Sequence, residues 1–156
     1  MIFSPIHTFS FLRLTLADSA HRDFIEPIED TQMKVFIVED SKLVTAYLVE
    51  MLGAIRNVEI VGYATNPTDA IARIRDSAPD VVILDLRLES GSGIEVLQYI
   101  KSGQPAPVVI VLSNYTYTGY KDRCHALGAE YFFDKALEFE RVEQVLLELS
   151  GEKGPE

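Results

Sequence analysis

The chain has 156 residues, 47% of them hydrophobic, which is enough for one domain with a sizeable core and too few for two of ordinary size. A formal charge of -10 without any basic run argues against direct binding to DNA or RNA, whose phosphates are met by clustered Lys and Arg. The single cysteine, Cys124, rules out an internal disulfide and fits a reducing compartment, and no apolar stretch approaches the roughly 18 residues that a membrane span needs.

Residues 1–32 show no sustained period. Their apolar residues (Ile2, Phe3, Ile6, Phe9, Phe11, Leu12) are interrupted by His7, hydroxyls and Arg13, with no basic segment ahead as a signal peptide would have. The expectation is a soluble, cytoplasmic protein. The stretch ends in the acidic Glu26-Pro27-Ile28-Glu29-Asp30, and the pattern changes at Met33. Residues 1–32 are therefore read as an N-terminal extension. It is either a loosely structured arm, with Phe9, Phe11 and Leu12 docking on the domain, or the product of an upstream start assignment with Met33 as the true start. The domain is expected over residues 33–150, followed by a tail at 151–156.

From Met33 onward, strand and helix signals alternate five times. Strand-length apolar runs occur at Val35–Val38, Val58–Ala64, Val81–Leu84, Val108–Leu112 and Tyr131–Phe133. The third and fourth are continuous β-branched runs, as in central strands buried on both faces. The first helical stripe holds Leu43, Tyr47, Leu48, Met51, Leu52 and Ile55, and the last holds Val142, Val145, Leu146 and Leu149; both are expected to face the core. Asn66-Pro67 supplies an N-cap and a first-position proline, Ser92-Gly93-Ile94-Glu95 reads as a capping box, and Gly128 suits the residue after the fourth helix. This (βα)5 alternation predicts an α/β fold: a doubly wound parallel sheet, flavodoxin-like, with strand order 2-1-3-4-5.

Polar residues stand where the apolar runs stop: Glu39-Asp40, Asp85, Ser113 and Lys135. In an open α/β sheet, ligands bind beyond the carboxyl ends of the strands at the switch point, here between the first and third strands. Three neighbouring carboxylates repel one another unless a cation intervenes, and a hard, oxygen-preferring ion such as Mg2+ would neutralise them. Helix capping is the competing reading for Asp40, but it explains neither Asp85 nor Lys135.

In this order and context, Glu39-Asp40, Asp85, Ser113 and Lys135 resemble the response-regulator receiver domain of two-component signalling, over residues 33 to about 150. The resemblance implies that Asp85 accepts a phosphoryl group from phosphohistidine. It implies direct Mg2+ binding by Asp40 and Asp85, Glu39 acting mostly through water, and the backbone carbonyl of Arg87 completing the shell. Lys135 would pair with the phosphoryl group, Ser113 would move toward it, and Phe132 falls at the switch-aromatic position. Gly93 matches the family's glycine at the start of the third helix.

Four neighbours depart from the family pattern. Glu89 and Ala136 stand where proline is common, and Phe132 replaces the more usual tyrosine; its bland reading is a core residue. Asn114 occupies a usually small position and is a candidate for controlling access to the phosphoryl group. Tyr115, Tyr117 and Tyr120 either form a partner-binding face or pack over their own loop. His125 is read as a surface residue.

With no room for an output module after the fifth helix, the resemblance implies a stand-alone, phosphorylation-controlled switch. It would not be an enzyme beyond catalysing its own phosphorylation and dephosphorylation. Its partners would be a sensor histidine kinase or histidine phosphotransfer protein and an unknown downstream protein, with a phosphorelay role and a homodimer left open. Two alternatives compete. One is a receiver-fold scaffold that takes no phosphate. The other is a phosphatase of the haloacid-dehalogenase type, which would need Asp-x-Asp where this chain has Glu39-Asp40-Ser41.

Overall fold

The computed structural model describes residues 31–152. In chain order the elements are β1 (Met33–Val38), α1 (Lys42–Gly53), β2 (Val58–Ala64), α2 (Pro67–Ser77), β3 (Val81–Leu84), β4 (Arg87–Leu88), β5 (Gly91–Ser92), α3 (Gly93–Ser102), β6 (Val108–Ser113), α4 (Thr118–Ala126), β7 (Tyr131–Asp134) and α5 (Arg141–Ser150). The main sheet is parallel with order β2-β1-β3-β6-β7. This is the predicted 2-1-3-4-5 order, because β4 and β5 form a separate antiparallel ribbon of two residues each. The N-terminal extension lies outside the described residues apart from Thr31 and Gln32, as do residues 153–156 of the tail. No helix among the described residues is long and apolar enough to cross a membrane.

Successive strand residues point to opposite faces, so a run apolar at every position feeds two cores at once. Phe36, Val38, Val82 and Leu84 pack with α2 and α3, while Val35, Ile37, Val81 and Ile83 pack with α1 and α5. Each fully buried Val, Leu or Ile contributes roughly 1.5–3 kcal/mol, which is why the β-branched runs settle in the centre of the sheet.

Cap residues set where the helices begin. Ser41 Oγ accepts from Val44 N–H at 3.3 Å, so Ser41 rather than Asp40 caps α1, and Asp40 is left for the site. Asn66 Oδ1 accepts from Asp69 N–H at 2.9 Å, with Pro67 in the first helical turn. Ser92 Oγ accepts from Ile94 N–H, at the second helical position, where a capping box would use the third. Gly128, past the end of α4, has φ 101, the left-handed region that favours glycine.

Two predicted stripes narrow in the structure. Leu43 and Tyr47 are 67% and 58% exposed, and Leu149 is 41% exposed. Helix α1 is apolar at most positions, and its sheet-facing line is Leu48 and Leu52, continued by Ile55 just past its end, with Val44 and Met51 partly packed. Leu43 and Tyr47 each sit one position off that line and fall on its flank. Helix α4 is held most lightly. Cys124 is its one buried residue, and its start has no side-chain cap.

Candidate functional site

The parallel ladders continue one residue past the strand ends and so fix the backbone of the polar residues. Glu39 N–H donates to Ala64 O at 3.0 Å, Asp85 N–H to Val38 O at 2.9 Å, and Lys135 N–H to Ser113 O at 3.0 Å. The carboxyl edge of the sheet therefore carries Glu39, Asp85, Ser113 and Lys135 on backbone tied to the core ladders, with Asp40 one residue beyond Glu39.

One carboxylate oxygen from each of Glu39, Asp40 and Asp85 lies within 4.8 Å of the other two. Glu39 and Asp85 are buried, and Asp40 is exposed at the rim. The Lys135 ammonium donates to Glu39 Oε2 at 2.7 Å and to Asp85 Oδ2 at 3.0 Å. The other Glu39 oxygen accepts from Ser41 N–H at 2.9 Å. Burial pushes the Glu39 carboxyl above the usual glutamate range, and the nearby Asp85 charge adds to this, while the Lys135 and Ser41 hydrogen bonds oppose it. For Lys135 burial favours the neutral amine, but the bonds and charges of Glu39 and Asp85 outweigh it and hold the ammonium above its ordinary value.

An all-oxygen donor set of three carboxylates suits a hard divalent cation. Donors on opposite sides of one Mg2+ lie roughly 4.2 Å apart, given bonds of about 2.1 Å. The observed spacing closes by a fraction of an ångström or through a water, and the residues present fit the ion.

The remaining predicted residues are placed as follows. Ser113 is fully buried, and its Oγ accepts from Tyr115 N–H at 3.1 Å. Phe132 is 6% exposed, so its ring already sits in the core. Asn114 is exposed. The three tyrosines divide: Tyr115 is half-buried and packs locally, whereas Tyr117 and Tyr120 face solvent at 72% and 42%. The Arg87 side chain is turned onto the Tyr115 hydroxyl and ring. The exposed His125 bonds Ala129 O through Nδ1 at 3.1 Å. Sequence reasoning missed the Lys135–Glu39 bond, which joins residues 96 positions apart with no local signal, and the Arg87–Tyr115 pair. Equal offsets from Asp85 and Ser113 at the ends of adjacent strands are the one sequence cue for the latter.

Gly93 approaches the Asp85 backbone closely. Its N–H donates to Leu86 O at 2.8 Å, and a Cβ built on it would lie 2.0 Å from Asp85 O.

The family model for the response regulator receiver domain matches residues 35–147. The chain belongs to that family. Among curated proteins, this receiver is 34% identical over 126 residues to a protein-glutamate methylesterase/protein-glutamine glutaminase of Halalkalibacterium halodurans, covering 76% of this chain and 36% of the relative. It is 39% identical over 84 residues to the DNA-binding transcriptional activator DevR/DosR of Mycobacterium tuberculosis, covering 54% of this chain and 39% of the relative. Both relatives thus contain much that this receiver does not match. Among solved structures, the phosphorylated cyanobacterial phytochrome response regulator RcpA superposes with a TM-score of 0.67 at 26% identity, covering 80% of this chain and 99% of that one.

Proposed function

We propose that this receiver is a phosphorylation-controlled switch of a two-component system that accepts a phosphoryl group on Asp85. The observation that carries the reading is the cluster itself: three carboxylates within 4.8 Å, two of them bonded to one partly buried ammonium, at the carboxyl edge of a receiver sheet. The 26%-identical structural neighbour is a phosphorylated response regulator, which supports the same reading.

The donor is the phosphohistidine of a sensor kinase or histidine phosphotransfer protein. An Asp85 oxygen attacks phosphorus; the P–O bond forms as the P–N bond breaks, and the electron pair goes to the imidazole nitrogen, which takes a proton. Catalysis here is positioning and charge stabilisation. The ladder bond to Val38 fixes Asp85. Lys135, already against Asp85 Oδ2, meets the incoming phosphoryl oxygens. Glu39, with one oxygen on Lys135 and the other on Ser41 N–H, holds that ammonium in place and would act on a bound ion through water. Asp40, Asp85 and the Arg87 carbonyl would hold Mg2+, which would supply positive charge at the site.

Ser113 then turns toward the phosphoryl group, and the change of shape is read by a protein partner in the cytoplasm. Incubating the chain with acetyl phosphate and Mg2+ tests the assignment. Intact mass should show one added phosphoryl group in wild type and none in Asp85→Asn. A wild type that stays unmodified by acetyl phosphate and by a panel of kinases would favour a receiver-fold scaffold instead.

A further inference from the structure

Arg87 stands two residues past Asp85 and Tyr115 two past Ser113, at the ends of the adjacent parallel strands β3 and β6, whose register pairs Leu84 with Val111. The Arg87 guanidinium donates through Nη1 to the Tyr115 hydroxyl and lies 5.7 Å from that ring's centroid. Tyr115 also meets the Tyr120 ring edge-on, at 6.3 Å between centroids, in the first turn of α4. Its backbone N–H donates to Ser113 Oγ at 3.1 Å. A single residue therefore touches the loop after Asp85, the hydroxyl beside the site and the most lightly packed helix.

We propose that the Arg87–Tyr115 pair is a latch that holds the unphosphorylated arrangement, and that Tyr115 passes the signal to α4. This rests on the phosphoryl reading above. Ser113 Oγ cannot both keep Tyr115 N–H and travel to a phosphoryl group on Asp85 unless the loop follows it. A moving loop pulls the Tyr115 hydroxyl from Arg87 and the ring from Tyr120. Phe132 is already buried, whereas Tyr115 is half-buried and is the aromatic in contact with Arg87, Ser113 and α4. Helix α4, with one buried residue and no side-chain cap, yields to that pull at little cost.

The test is binding of beryllofluoride, a stable phosphoryl mimic, with saturating Mg2+ to the full chain. Tyr115→Phe removes the hydroxyl but keeps ring and charge, and should bind the mimic about fivefold tighter, the scale of one lost hydrogen bond. Arg87→Met should also tighten binding, and the double variant should bind no tighter than the tighter single variant, because both remove the same contact. Hydrogen exchange should show α4 amides opening faster in mimic-free Tyr115→Phe, toward the rates of mimic-bound wild type. Unchanged or weaker binding by Tyr115→Phe, or additive effects in the double variant, would overturn the latch while leaving the phosphoryl reading standing. Failure of wild type to bind the mimic at all would overturn both.

Discussion

Replacing Gly93 by alanine tests how rigidly the fold presents Asp85. The added Cβ would sit 2.0 Å from Asp85 O and 2.9 Å from Leu86 Cα, both backbone atoms. A comfortable carbon–oxygen approach is about 3.3 Å, so the two segments must part by roughly 1.3 Å. Neither side has a flexible side chain to give way. Asp85 is tied to Val38, and Gly93 N–H is tied to Leu86. Overpacking of a tight interior costs roughly 1–3 kcal/mol, and a clash between backbones belongs at the upper end. With unfolding entropy near 2.1 cal/mol/K per residue over about 120 ordered residues, each kcal/mol lowers the melting temperature by about 4 °C. The variant should therefore melt about 12 °C lower. Displacing the nucleophile by about an ångström should also slow its reaction with acetyl phosphate by about a hundredfold. Thermal melting by circular dichroism and a phosphorylation time course read the two effects. Melting within about 2 °C of wild type and a rate within threefold would show that the close approach does not hold Asp85 in place.

Further outcomes follow from other contacts. Lys135→Met leaves Glu39 and Asp85 buried without their ammonium and should cost about 3 kcal/mol in urea unfolding at neutral pH; saturating Mg2+ should narrow that gap, and a gap insensitive to the ion would refute the shared site. Glu138 is held below the ordinary glutamate value of 4.5, chiefly by the Asp134 N–H and then by Arg141. Its folded pKa is the lower one, so its contribution should be full above 4.5 and fade as pH falls through the depressed value. The stability difference between wild type and Glu138→Gln should therefore shrink on acidification; a difference that grows would contradict the assignment. Asn114→Ala opens the rim beside Ser113 and should speed loss of the phosphoryl group from Asp85, and an unchanged half-life would remove Asn114 from access control.

The sheet was legible because its signal is local. A run such as Val81–Leu84, apolar at every position, suits a strand covered on both faces, and all five predicted strands appear in the predicted order. The polar stops were legible for the same reason, since a strand end fixes where the next residue points. Helix α1 was harder. With apolar residues around most of its circumference, periodicity could not tell Leu48, which is buried, from Tyr47, which is not. The β4–β5 ribbon is too short for any period, and Ser90 at φ 53 is a turn conformation that its residue type does not announce. Contacts between distant residues were out of reach. Nothing near Lys135 indicates that it bonds Glu39, and the equal offsets of Arg87 from Asp85 and Tyr115 from Ser113 acquire meaning only once the strands are aligned.

The charge held at the sheet edge has one more consequence. With all four groups ionised, Glu39, Asp40, Asp85 and Lys135 sum to -2 (three carboxylates and one ammonium), which one divalent ion cancels. The proposed phosphorylation would consume the Asp85 carboxylate and put a group of about -2 in its place, a net change of about one charge on a chain that already carries -10. At physiological salt such a change fades over about 8 Å. A partner bound farther away would sense almost no new field and would have to recognise an altered outline of the molecule.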